Sequence, residues 1–334
     1  MSQAIKPMNR NKAFVIRAAT TVLAILAILV LALWWWWDHE PVQFDVVERA
    51  QAHAGEHGHR VVPGVVTTAA LIEVSQTLLD KRGGYLANDI APPGLFMDNV
   101  PNWEYGVVLQ VRDLSLAMRN DFSRSQSQSV EDPDLREALN YFSYAHRRWI
   151  LPSSEGQYRK GIAHTEKYLE RLGDSDEENA QFYARADNLV SYFELVGKRL
   201  GSLSQRLSAS VGPHRVNTDL AGDPNAQQST PAQEQRMVRT PWTQIDDIFY
   251  EARGTTWALL HFLRAIEHDF EPVLRDKNAL VSLRQVIREL EEAQVALGSP
   301  VVLNGRPYGM FANHSLVMAN YVSRANAALI DLRK

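Results

Sequence analysis

Residues 18–37 read AATTVLAILAILVLALWWWW, twenty positions without a formal charge and with two threonines as the only hydroxyl-bearing members. At about 1.5 Å per residue a helix of this length covers roughly 30 Å, the hydrocarbon thickness of a bilayer. The stretch predicts one transmembrane helix. Lys6, Arg10, Lys12 and Arg17 precede it with no acid among residues 1–17, whereas Asp38 and Glu40 follow it. Positive charge stays on the cytoplasmic side of a spanning helix, so the N-terminus is expected inside and the rest of the chain outside. A cleaved secretory signal would have a shorter apolar core, about 7–15 residues, ending in small side chains. Trp34, Trp35, Trp36 and Trp37 stand there instead, and tryptophan favours the headgroup layer, where its ring is half-immersed and its N–H finds a partner. The expectation is an uncleaved signal-anchor with these four residues at the membrane interface.

The rest of the 334-residue chain has an ordinary globular composition, 45% hydrophobic and 22% charged, which is enough for one sizeable core. The net charge is −4, and removing the four basic residues of the tail leaves 31 basic against 39 acidic residues, or −8. Nucleic-acid binding rests on clustered Lys and Arg that neutralise phosphates, so no nucleic acid is expected as a partner. The absence of cysteine excludes thiolate catalysis, iron–sulfur clusters, cysteine zinc sites and disulfides, and leaves the redox compartment open.

Beyond the anchor the pattern is helical. Residues 38–63 form a polar juxtamembrane connector, partly helical and otherwise solvated. Apolar positions at helical spacing then mark helices over Val65–Leu79, ended by Gly83-Gly84, and from Asn102 as N-cap through Phe122. Asp132-Pro133 opens a helix running to Trp149, and another covers Glu155–Leu172. The positions 183, 186, 190, 193, 196, 200, 203 and 207 make an extended packing seam, within the chain or between chains. Residues 212–240, with Pro224 and Pro231, read as a flexible excursion. Thr240-Pro241 starts a helix with Ile245, Phe249, Leu259 and Phe262 on its core side; Asp276–Leu297 and Ser315–Leu332 complete the set. Asn304-Gly305 in VVLNGRPYGMF is a hairpin turn signal. The fold class is therefore all-α: a basic cytoplasmic tail (1–17), one transmembrane helix (18–37), the connector (38–63) and a bundle of about eight helices over 64–334.

Chemistry is harder to find. The chain has no G-x-S-x-G, H-E-x-x-H, P-loop or G-x-G-x-x-G pattern. Its single E-x-x-H, Glu56 to His59, lies among glycines rather than in a paired di-iron arrangement. His53, His57 and His59 have spacing that suits a transition metal, but Gly55 and Gly58 leave them unorganised, and no cofactor is expected. His261 and His268 are two helical turns apart, too far to share one ion alone, so they read as satisfied or exposed histidines. Arg147 and Arg148 in YFSYAHRRWI suit either a helix C-terminus or an anionic lipid or polymer. The segment 83–106 carries Asp89, Asp98 and Glu104 without a base, beside Tyr85, Trp103 and Tyr105. Carboxylates with stacking aromatics are the equipment of a glycan-cleaving enzyme. The same residue types also serve turns and helix N-termini.

Two stretches, GYLANDIAPPGLFMDNVPNWEYG and VRDLSLAMRNDFSRSQSQSVEDPDL, resemble domain of unknown function 2333, an uncharacterised family of proteobacterial inner-membrane proteins, and the likeness extends over nearly the whole chain. It implies a bacterial inner-membrane protein and transfers no catalytic residue. The sequence thus leads to a single-pass protein, N-terminus cytoplasmic and helical domain periplasmic, that binds or scaffolds other envelope proteins and has the lipid bilayer as its constant partner. The alternative is a membrane-tethered glycan enzyme that uses the 83–106 carboxylates.

Overall fold

The computed structural model describes residues 10–57, 60–125, 129–174, 179–212, 214–216, 235–237 and 239–333. Among them run α1 (Arg10–Trp37), α2 (Val46–His57), α3 (Val65–Asp80), α4 (Asn99–Ala117), α5 (Pro133–Phe142), α6 (Ser154–Gly173), α7 (Ala186–Ser208), α8 (Ile245–Asp269), α9 (Glu271–Asp276), α10 (Leu280–Glu292) and α11 (His314–Leu332). The class is all-α, with ten described helices beyond α1 rather than eight. Within α1, Phe14–Trp37 is long and apolar enough to cross a membrane, and none of its side chains is fully buried.

The central helix is α8. Most of its side chains from Phe249 to Ile266 are buried, including Trp257, Leu259, Phe262 and Leu263, as expected of a helix covered on all sides. It runs parallel to α4. Asn102 Nδ2 donates to Asp247 Oδ1 at 2.6 Å at one end of the pair, and the rings of Phe122 and Phe270 meet at 5.2 Å at the other. The two backbones touch through glycine: a Cβ on Gly254 would lie 1.9 Å from the Trp103 carbonyl oxygen, and one on Gly106 would lie 2.2 Å from that of Glu251. Helices α3 and α10 pack antiparallel to this pair. Thr67 donates to Asp269 through both N–H and Oγ1, each at 2.7 Å, while Arg264 and Arg284 of this side pair with Glu291 and Glu267. All N-termini of the parallel pair therefore face the end of the bundle where α1 arrives.

Several boundaries depart from the sequence expectation. Asp98, not Asn102, caps α4, accepting the Asn99 N–H at 3.0 Å. Pro101 sits in the first turn, where helix N–H groups have no intrahelical acceptor and a proline loses no bond. Helix α5 stops at Phe142, so Arg147 and Arg148 lie in a loop and not in a last helical turn. Helix α7 starts at Ala186, α8 at Ile245 after a short 3-10 turn, and α10 ends at Glu292. A two-stranded antiparallel ladder, β1 (His214–Val216) with β2 (Gln235–Met237), lies inside the segment read as an excursion. The Asn304-Gly305 turn makes only an isolated bridge, Asn304 to Asn313. The connector is not merely solvated, because Val46, Ala50 and Ala54 of α2 are buried in the body.

Candidate functional site

The segment 81–106 is where α1 joins the bundle. Trp37, the last residue of α1, packs against Leu86, Met97 and Val100 in a small cluster of its own. Gly83 makes room for it: its φ is +82°, and a Cβ there would stand 2.8 Å from the Trp37 ring. Only glycine adopts that backbone without strain. One residue back, the Arg82 guanidinium stacks on Trp36 at 4.3 Å, a cation–π contact.

Glu104 fastens this segment from beneath. Its carboxylate is wholly buried, forms an ion pair with buried Lys81, and accepts the backbone N–H groups of Leu86 at 2.8 Å and Ala87 at 2.6 Å. Lys81 also donates to the Gly84 carbonyl. Burial pushes the Glu104 carboxyl up, and the Lys81 charge with the two N–H donors pulls it back, which is how a carboxylate is kept useful inside a protein. Its three partners, Lys81 and the N–H groups of Leu86 and Ala87, flank Gly83 and Gly84 and hold the turn closed.

The aromatics expected to stack on a ligand are mostly core residues. Tyr85 is 2% exposed, donates to the His146 carbonyl at 2.8 Å and meets Tyr158 edge-on at 5.8 Å. Trp103 is 1% exposed against Trp257, ring centres 5.2 Å apart. Tyr105 is half-buried on His146 at 4.6 Å. Each sits on the inward side of the segment because Tyr85 follows the glycine turn and Trp103 and Tyr105 follow the Asp98 cap.

Nor do the three carboxylates form a set. Asp89 lies over Gly94, where a Cβ would be 2.2 Å from its Oδ2; burial raises its pKa and Lys81 opposes the rise. Asp89 and Glu104 thus share the field of Lys81. Asp98 is exposed as a helix cap, with Asp38 and Asp247 as electrostatic neighbours. The geometry has one buried structural carboxylate, one cap and one half-buried loop acid, without a common cleft for an acid and base.

Of the histidines, His53 lies on α2, while the side chain of His57 and all of His59 fall outside the described residues. Among the described residues no group of three or more His, Asp or Glu side chains is arranged to hold a metal ion. His261 is buried and satisfied on both sides: Nδ1–H donates to the Trp257 carbonyl at 2.7 Å, and Nε2 accepts the Phe44 N–H at 3.1 Å. Burial, with help from the Arg264 charge, pulls its pKa down to about 4, so the ring is neutral and fixed as the Nδ1–H tautomer. Phe44 stacks on it at 4.1 Å.

Sequence reading missed these anchoring contacts of the connector. Arg253, buried on α8, pairs with Glu40 and donates to the carbonyls of Ala293 at 2.8 Å and Val295 at 2.9 Å. Arg253, set between alanine and glycine in the run EARGTTWALL of a core helix, was the available signal, since a buried guanidinium demands partners for a planar fork of donors. Glu40, Phe44, Trp37 and α2 together hold the exit of α1 to the bundle at four points.

The model of one family, described as an uncharacterized protein conserved in bacteria (DUF2333), matches residues 9–334. The chain belongs to the DUF2333 family. That match takes in α1 as well as the helical body, so the apolar helix is part of what defines a DUF2333 chain. No curated protein and no solved structure matches this DUF2333 protein.

Proposed function

We propose that the protein is an uncleaved single-pass inner-membrane protein whose periplasmic helical body binds or scaffolds other components of the cell envelope. The observation that carries it is the seat of Trp37 among Leu86, Met97 and Val100, with Gly83 shaped to admit the ring. A signal removed at this point would leave that seat unfilled, whereas an anchor is continuous with the body. The basic tail before α1 and the acids after it support a cytoplasmic N-terminus. The buried Glu104, the capping Asp98 and the buried Tyr85 and Trp103 lend nothing to a glycan-cleaving site.

Intact mass of the protein recovered from bacterial membranes tests the anchor: a mature chain retaining residues 18–37 is expected, and one beginning after Trp37 overturns it. A reporter fused after Lys334 is expected to be active only outside the cytoplasm. Photocrosslinkers placed on exposed side chains of the body in intact cells are expected to capture discrete envelope partners. Absence of any adduct across all of its faces would remove the scaffolding role while leaving the topology intact.

A further inference from the structure

We infer that the anchor end of the body is itself a membrane-binding surface, and that the loop tips at residues 90–96 and 149–151 enter the headgroup layer of the bilayer that α1 crosses. This rests on the anchoring proposed above and adds to it a second, peripheral contact.

The argument begins with level. Trp37 is both the last residue of the apolar helix and a core contact of the 83–100 segment. The tryptophan end of a spanning helix lies at the membrane–water interface. A segment that grips Trp37 and Trp36 is therefore held at that level, with no intervening stalk. The loop 146–151 is tied to it: Asn88 Nδ2 donates to the Arg148 carbonyl at 2.9 Å, and Tyr85 to that of His146. The two tips are one surface.

Its chemistry is apolar where it should be wet. Phe96 is 72% exposed, Trp149 52% and Leu151 88%, with Ile90, Leu95 and Ile150 exposed beside them. Exposed Arg147 and Arg148 flank the second tip, as basic groups flank aromatic anchors that dip into a headgroup layer. The rest of the described residues show no such pattern. Beyond α1, the exposed large aromatics among the described residues are Phe96, Trp149, Trp242, Tyr308 and Phe311. All five stand at the anchor end. Trp242 opens the turn before α8, and the 304–311 loop is fastened there through Asn304 Nδ2 to the Ser210 carbonyl, next to the Thr240 N–H bound by Ala209. At the opposite end the exposed large apolar side chains, such as Val130 and Val281, are aliphatic and scattered. Scattered aliphatics are ordinary, and exposed aromatics confined to one end of a body are not. A bilayer accounts for their sharing the end of the body at which α1 leaves it.

The chain has no cysteine, so single thiols can be placed without background. Full-length Phe96→Cys, Trp149→Cys, Leu29→Cys and Val281→Cys variants would be labelled with an environment-sensitive fluorophore and reconstituted into phosphatidylethanolamine–phosphatidylglycerol vesicles. Quenching by a spin label carried on the lipid is the readout, near the headgroup for the Phe96, Trp149 and Val281 probes and deep in the acyl chain for the Leu29 probe, with circular dichroism to verify the fold. Probes at Phe96 and Trp149 are expected to be quenched several-fold more strongly than the probe at Val281, and to emit at shorter wavelength. Leu29, inside α1, reports the anchor separately. Strong quenching at Leu29 with Phe96 and Trp149 no better quenched than Val281 overturns the membrane surface, assigns the patch to a protein partner and leaves the anchor standing. A Leu29 probe that the lipid quencher does not reach overturns both.

Discussion

Replacing Gly254 by alanine tests whether the α4–α8 contact organises the body. The added Cβ would stand 1.9 Å from the Trp103 carbonyl oxygen, where ordinary contact begins near 3.4 Å, so the two helix backbones must part by the 1.5 Å difference. No side chain can rotate away, because the obstacle is main chain. Overpacking of this kind costs about 1–3 kcal/mol, and a clash with backbone belongs at the upper end. Alanine returns about 1 kcal/mol through better helix propensity, leaving a net loss of about 2 kcal/mol. Gly201 on α7 is the matched control, since its Cβ would find Asn326 Nδ2 at 3.5 Å and nothing closer. There the same substitution should be neutral or stabilise by up to about 1 kcal/mol. Thermal unfolding of the full-length protein in detergent micelles, followed by far-ultraviolet circular dichroism, separates the two. At about 2–4 °C per kcal/mol for a body of this size, Gly254→Ala should melt roughly 4–8 °C below the parent and Gly201→Ala at or slightly above it. If Gly254→Ala melts as high as Gly201→Ala, the helices are not in backbone contact and the parallel pair is not the tight axis described above.

Glu104→Gln leaves Lys81 buried without a counter-charge, and breaking a buried pair in this way costs about 3–5 kcal/mol; denaturant unfolding should show a loss of that order, and a loss below about 1 kcal/mol would mean that the pair is solvated. Glu40→Ala should similarly weaken the hold of Arg253 and expose the connector, read as faster proteolytic cleavage between Asp38 and Val46; an unchanged cleavage rate would count against the clamp. Part of the pH profile follows from His261, whose pKa falls from the ordinary 6.5 to about 4, alongside a similar fall at half-buried His146. Above pH 6.5 both folded and unfolded states carry the neutral ring. Between there and about pH 4 the unfolded chain takes the proton first, so stability should decline by up to about 3 kcal/mol as the pH drops. His261→Asn should flatten that slope, and an equally steep slope in the variant would acquit the histidine.

What the sequence made legible was whatever depends on near neighbours. The Asp132-Pro133 cap appears as read, with Asp132 accepting the Asp134 and Leu135 N–H groups, and the face of α7 through Phe193, Val196, Leu200 and Leu203 is buried as its spacing predicts. The long apolar helix α1 also stands where composition put it. Contacts between distant parts of the chain left no such trace. Phe44 and His261 are 217 residues apart, Glu40 and Arg253 are 213 apart, and no periodicity connects them. For the same reason Tyr85 and Trp103 looked like free stacking surfaces: aromatic residues in a loop-like segment are indistinguishable from binding groups until the helices that cover them are placed. Asn102 qualifies as a cap by residue type, but the helix begins a turn earlier, capped by Asp98, with Pro101 tolerated inside the first turn.

The four-point hold on the exit of α1 sets a working distance. A protein on a flexible stalk can search a broad shell above its membrane, but here the body begins within a few residues of the last tryptophan. The longest described helix of the body is α8, 25 residues, or about 38 Å at 1.5 Å per residue. Under the proposed topology, anything this protein touches must itself come within roughly that height of the bilayer, and its choice of neighbours is made as much by altitude as by affinity.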